Sequence, residues 1–172
     1  MNKVPKELCK IVFEYCDLYS QIQFKQTCKY MDTHLQITDF YNIDDKYKIM
    51  LCDAILKKYK YIKKLYASEN EKITDEGIKH MQLHTLDALA NSKITDEGIK
   101  HMQLHTLDAS YNRKITNAGI KHMQLHTLIA YENSKITDEG IKHMQLHTLL
   151  ASCNSKITKE GVKHMTSLTY FY

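Results

Sequence analysis

The sequence predicts an α/β repeat solenoid with a small all-α module ahead of it. Three observations carry that prediction. All five glycines stand 21 residues apart, at Gly77, Gly98, Gly119, Gly140 and Gly161, and none lies elsewhere. A fixed period of about 20–30 residues marks stacked supersecondary units, none able to bury its apolar face alone. Within each period, a short apolar alternation of strand type precedes a capped stripe at helical spacing. Ahead of the array, residues 1–61 lack the period and carry helical apolar spacings of their own.

Composition bounds the function classes. With 172 residues, 43% hydrophobic and 26% charged, the chain suits one or two folded soluble domains. No stretch approaches the ~20 apolar residues of a membrane span, so no membrane association is expected. The opening MNKVPKELCK has no apolar run of the secretory type. The five cysteines (Cys9, Cys16, Cys28, Cys52, Cys153) are odd in number and form no CxxC pair. Free thiols in a reducing compartment follow, with the cytoplasm expected and the nucleus second. Residues 1–65 hold 12 Lys against 8 acids, which accounts for the whole +4, while residues 66–172 balance at 12 against 12. The array therefore has no net electrostatic footprint for nucleic acid. Residues 57–64, with five lysines, read first as a solvated junction and second as a nucleic-acid patch or localisation signal.

Aligned on the glycines, each unit carries apolar-x-x-apolar-x-Ala-x-x-Asn. The series begins Ile62, Leu65, Ala67, Asn70 and continues Leu83, Leu86, Ala88, Asn91. It returns at Leu104, Leu107, Ala109, Asn112, at Leu125, Leu128, Ala130, Asn133, and at Leu146, Leu149, Ala151, Asn154. Leu86 and Ala88 alternate with Asp87 and Leu89, as in a strand with one face buried. Such strands in successive turns would pair in parallel. Asn closes each strand, and its amide can bond the backbone of neighbouring turns. The column Asn70, Asn91, Asn112, Asn133, Asn154 thus predicts a structural ladder. Thr74 is placed to cap a short helix that starts with Asp75 and Glu76. Ile78 and Met81 give it an inward stripe, and Asp75 with Lys79 forms a favourable i,i+4 pair. Glycine inside so short a helix costs about 1 kcal/mol against alanine. Its return in every copy predicts a close approach between adjacent turns.

These motifs resemble the leucine-rich repeat, L-x-x-L-x-L-x-x-N-x-L, over residues 62–172. The shared run Ile73-Thr74-Asp75-Glu76-Gly77-Ile78-Lys79-His80-Met81 is similar to the convex half of repeats attached to F-box proteins. The resemblance implies a solenoid with a concave parallel sheet and short convex helices. Ala stands where the family usually has Leu, so each turn is thin there.

The copies differ mainly beside the Ala, at positions expected to face out from the strands. The column before it reads Tyr66, Asp87, Asp108, Ile129, Leu150, and the two after it include Leu89, Tyr111, Tyr131 and Glu132. A fixed framework carrying a variable concave face predicts a surface tailored to a protein target, with tyrosines as anchors.

Nine of ten histidines fall in two columns, one from His80 to His164 and one from His84 to His147. H-x-x-x-H on one helix could share zinc, but the second His enters a strand and no third ligand type recurs. No metal and no cofactor is expected. Imidazoles stacked about 5 Å apart would repel once charged, so the array should weaken as pH falls through ~6.5. GxGxxG, P-loop, GxSxG and CxxC signatures are missing, and the recurring Asp-Glu pair reads as capping chemistry. No enzymatic activity is expected.

Leu8, Ile11, Val12 and Tyr15 follow at helical spacing after Pro5, a residue suited to a first turn. Two further apolar sets (Leu18, Ile22, Phe24 and Cys28, Met31, Leu35) predict three short helices. Residues 3–40 resemble an F-box, with Val4-Pro5-Lys6-Glu7-Leu8, Val12-Phe13-Glu14-Tyr15-Cys16 and Thr27-Cys28-Lys29-Tyr30 carrying the likeness. The segment departs from that family at Val4 and Cys16, and lacks its Trp after the Cys-Lys. The resemblance implies a substrate receptor of a cullin-type ubiquitin ligase. It would bind a Skp-family adaptor through Pro5, Leu8, Ile11, Val12 and Tyr15, and an unknown target protein on the concave face. A plain binding scaffold with a helical cap is the alternative. The near-identical copies and Lys/Ile/Asn/Tyr richness look like families of large DNA viruses, which would make the compartment the host cytoplasm. The expected organisation is an F-box-like module over 1–40, a joining and capping helix over 41–61, and the solenoid over 62–172.

Overall fold

A computed structural model gives the structure and describes residues 13–14, 16–26 and 36–171. The chain divides into two compact units, 1–38 and 39–172. In the first, Phe13 and Glu14 are helical and α1 spans Leu18–Gln26. Asp17 caps α1 by accepting from the Ser20 N–H at 2.7 Å. The Gln21 amide donates back to the carbonyls of Phe13 (3.1 Å) and Cys16 (3.0 Å). The expected adaptor residues Pro5, Leu8, Ile11, Val12 and Tyr15 lie outside the described residues, as does the apolar set Cys28, Met31, Leu35.

The second unit is an α/β repeat solenoid. Its seven strands form one all-parallel sheet in chain order. They are β1 Asp39–Phe40, β2 Lys64–Tyr66, β3 Thr85–Asp87, β4 Thr106–Asp108, β5 Thr127–Ile129, β6 Thr148–Leu150 and β7 Tyr170–Phe171. Short helices alternate with them. Helices α2 Asp45–Lys48 and α3 Asp53–Leu56 precede β2. Then come α4 Asp75–Ile78, α5 Asp96–Ile99, α6 Asn117–Ile120, α7 Asp138–Ile141 and α8 Lys159–Val162. The register sets Leu65, Leu86, Leu107, Leu128 and Leu149 side by side, so one period is one strand step.

Two boundaries differ from expectation. The array starts at Asp39 and not at residue 62, because Asp39 and Phe40 pair in parallel with Lys64 and Leu65. That step spans 25 residues and has no glycine, which hides it from a 21-residue alignment. The single helix expected over 41–61 is two four-residue helices, broken where Cys52 is fully extended (φ −156°, ψ 167°). The second of them, α3, stacks as a turn of the array.

Each turn buries the same set. Ile73, Ile78, Met81, Leu83, Leu86 and Ala88 are at most 2% exposed, and their equivalents repeat this through Leu149. Apolar burial of about 25 cal/mol per Å² is the main drive for stacking. Two polar ladders then fix the stack. Asn91 donates through Nδ2 to the carbonyls of Ala67, Asn70 and Ile73, at 2.9–3.2 Å. Its Oδ1 accepts from the Lys93 and Ile94 amides. Asn112 and Asn133 repeat the pattern, fully buried. Every lone pair and proton of these amides is engaged, which is what makes a buried Asn tolerable.

The second ladder runs through the helices. Asp75 accepts from the Thr95 amide at 2.8 Å and from its hydroxyl at 2.6 Å. Asp53, Asp96 and Asp138 bond Thr74, Thr116 and Thr158 in the same way. The expected Asp75–Lys79 pair is therefore not formed. Asp75 turns to the next repeat, and Lys79 pairs with Glu76 at 2.6 Å instead. Glycine follows from the same contact. A Cβ on Gly98 would strike the Asp75 carboxylate and stand 3.2 Å from its Cα. None of the five glycines has positive φ, so clearance, not backbone freedom, requires them.

Candidate functional site

The central residue of each strand points into the core, so the first and third point out from the opposite face. The first-position column reads Lys64, Thr85, Thr106, Thr127, Thr148 and is constant after Lys64. The third-position column reads Tyr66, Asp87, Asp108, Ile129, Leu150 and changes at almost every step. Five of the expected target residues therefore stand in adjacent register on one sheet face. Tyr41, which follows β1, extends the column and meets Tyr66 edge to face, with ring centroids 6.1 Å apart.

The other expected target residues are elsewhere. Leu89, Tyr111, Tyr131 and Glu132 follow the strands, in the turns that carry the chain off the sheet. Glu69, Ala90, Tyr111, Glu132 and Cys153 occupy the left-handed region, with φ between 49° and 60°. A left-handed residue cannot continue a strand, which is why the period-2 alternation ends before it. Successive turns still bond one another, as in Ala90 N–H to the Ser110 carbonyl (2.9 Å) and Tyr111 N–H to that of Tyr131 (2.9 Å). They form a rim beside the face, on which Tyr111 is 53% exposed.

Asp87, in the column expected to face out from the strands, is only 8% exposed. Its Oδ1 accepts from the Leu89 amide at 3.0 Å, and Asp108 repeats this with Ser110 at 2.9 Å. Burial pushes the Asp87 carboxyl up to about 6. The Leu89 N–H opposes that shift, Asp108 adds to it, and Lys48 opposes it. Tyr41 is raised by burial first, then by Asp87 and Asp108. Tyr41, Tyr66, Asp87 and Asp108 thus form one electrostatic patch. Lys48 borders it, with Nζ 4.3 Å from the Tyr66 ring centroid and 2.9 Å from Asp45 Oδ1. Beside Tyr66 lies a cleft of about 580 Å³, walled by Lys48, Ile49, Ser68, Glu69 and Asn70 among others.

Tyr41 and Lys48 were not legible as site residues. Their only signal is the short match of Asp39-Phe40-Tyr41 to Lys64-Leu65-Tyr66, which becomes readable once β1 is paired with β2.

The histidine columns separate by role. His84, His105, His126 and His147 stack face to face, with centroids 4.6–4.7 Å apart. The column continues from Lys63, whose carbonyl accepts from the His84 amide, and ends where Thr169 Oγ1 meets His147 Nε2 at 3.3 Å. His105 is held below its usual range by lost hydration and then by His84. Lost hydration, then His105 and His147, do the same to His126. In the other column His122 and His143 reach the carbonyls of Met102 and Met123 on the preceding turn (both 3.1 Å). Among the described residues, no three His, Cys, Asp or Glu side chains gather as a metal site, and no helix is long and apolar enough to cross a membrane.

Against known proteins, the chain matches no family model and no curated protein.

Proposed function

We propose that this protein is a protein-interaction module that holds a target polypeptide on the outward face of its sheet. One observation carries the reading. The core, the Asn and Asp ladders and the Thr column repeat almost unchanged, while Tyr41, Tyr66, Asp87, Asp108, Ile129 and Leu150 vary in chemistry along one continuous column. Solenoids commonly bind through such faces, and aromatic side chains dominate interface energetics. The period and the Asn column support assigning the fold to the leucine-rich-repeat class. The resemblance of residues 3–40 to an F-box supports a finer role: the substrate-recognition subunit of a cullin-type ubiquitin ligase. In that role Pro5, Leu8, Ile11, Val12 and Tyr15 bind a Skp-family adaptor, other subunits transfer ubiquitin, and this chain does no bond chemistry.

The test is a pull-down of the purified chain with a Skp-family adaptor, beside a Leu8→Asp, Ile11→Asp variant. Retention of wild type and loss of the folded variant are expected. A folded wild type that ignores the adaptor removes the ligase role and leaves a binding scaffold.

A further inference from the structure

The outward face has an internal polarity that a generic docking surface does not need. At one end stand two aromatic rings, Tyr41 and Tyr66. At the other stand two aliphatic side chains, Ile129 and Leu150, in adjacent register. Between them Asp87 and Asp108 are direct neighbours on parallel strands.

Like charges placed side by side destabilise a sheet. Here the two acids are kept although the Thr column beside them shows that a neutral residue fits the face. Each carboxylate uses Oδ1 on its own turn, and among the described residues neither Oδ2 receives a hydrogen bond. No lysine or arginine forms an ion pair with either acid among the described residues, because Lys48 is engaged by Asp45 and Lys64 lies 3.8 Å from Asp39. Asp87 is only 8% exposed, yet its Oδ2 is not sealed from solvent, so the free oxygen faces outward where a partner's cation can reach it. Lys48 above Tyr66 shows that the flanking aromatic face accepts an ammonium group.

We infer that this face docks an extended polypeptide segment that places a lysine or arginine between Asp87 and Asp108 and a large apolar side chain on Ile129 and Leu150. The inference rests on the protein-docking reading above and names the partner's chemistry. The geometry also sets the spacing. The acidic pair and the aliphatic pair are two strand steps apart, about 9.6 Å at ~4.8 Å per step. A segment in the extended polyproline II form rises about 3.1 Å per residue and repeats every three, so it covers that distance with both side chains on one side when the cation and the apolar residue stand roughly three positions apart. Nucleic acid is the wrong sign for this patch.

The test uses the full chain as bait for a displayed library of random nine-residue peptides, followed by titration of labelled synthetic winners. Enrichment of Lys or Arg with a large apolar residue about three positions away is expected. A tenfold or greater loss of affinity is expected in Asp87→Asn, Asp108→Asn. That double variant removes the like-charge pair without changing shape, so it should fold and melt no lower than wild type. Lost binding with intact or raised stability separates recognition from a structural role. Winners without a cation, or winners indifferent to the double variant yet lost on Ile129→Ser, would overturn the cation subsite and leave the docking face standing. No enrichment above background would remove both. Self-association at rising concentration, lost in the double variant, would assign the cation to residues 57–64 of a second copy and overturn the separate partner.

Discussion

At the scale of single residues, sterics and propensity can oppose each other, and Gly119 shows which wins. Alanine at that site would gain about 1 kcal/mol in helix propensity. Its Cβ would also enter the Asp96 carboxylate and stand 3.1 Å from the Asp96 Cα. The Asp96 carboxylate cannot simply swing away, because it holds the Thr116 amide and hydroxyl at 2.7 and 2.6 Å. Overpacking of this kind costs about 1–3 kcal/mol, so Gly119→Ala should lower unfolding free energy in urea despite its better propensity. Equal or higher stability would mean that the turns are free to separate. The close approach was legible from the recurrence of glycine alone. The atom that makes it was not, because the sequence offers Lys79 as an equally good partner for Asp75. Only stacking brings Thr95 nearer.

At the scale of the element, one copy breaks its own ladder in an instructive way. Helix α6 begins with Asn117, not Asp. Asn117 donates Nδ2 to the Thr137 hydroxyl at 2.8 Å, whereas in the other turns the hydroxyl donates to a carboxylate. The reversed hydroxyl no longer accepts from its own helix, and α7 has no side-chain cap, unlike α4, α5, α6 and α8. Asn117→Asp should restore both the charge-assisted bond and the cap, and place an acid in the first turn of α6. Stabilisation of about 1 kcal/mol is expected by chemical denaturation, with Asp96→Asn giving a comparable loss. Unchanged midpoints in both variants would sink the account. The strands and helices of the array were legible because their chemistry recurs at a constant interval. The first turn, from Asp39 to Leu56, was not, because its spacing and composition differ while its contacts are the same. Of the variable positions, Tyr66, Asp87, Asp108, Ile129 and Leu150 lie on the strands while Leu89, Tyr111, Tyr131 and Glu132 lie in the turns, and nothing in Ala90 or Tyr111 announces a left-handed backbone.

At the scale of the whole molecule, two opposed titrations set the response to acid. An unfolded imidazole titrates near ~6.5, and the stack holds His105 and His126 below that. As pH falls from about 6.5 toward the folded values, the unfolded chain binds more protons and stability is lost. Asp87 has the other sign. It is raised from 3.8 to about 6, so its contribution is fully present below 3.8 and is lost as pH rises through about 6. The two windows overlap at about pH 6 and partly cancel. Melting temperature between pH 7.5 and 5.5 should therefore fall more steeply in Asp87→Asn than in wild type, and less steeply in His105→Gln, His126→Gln. Three parallel curves would show that neither group is linked to folding.

The helix ladder has one further property, seen at its last rung. Asp53, Asp75, Asp96, Asn117 and Asp138 each reach forward to a threonine, but α8 opens with Lys159 at that position. Each unit from α3 to α7 thus brings a forward hook, and the unit of α8 brings only the receiving hydroxyl of Thr158. Removing residues 96–116 leaves Thr95 for Asp75 and Thr137 for Asn117, so the seam closes without a misfit. A whole 21-residue unit can therefore be removed with every remaining hook still facing a threonine. The units are interchangeable in this ladder, and Lys159 is the one position where the hook is missing among α4 to α8.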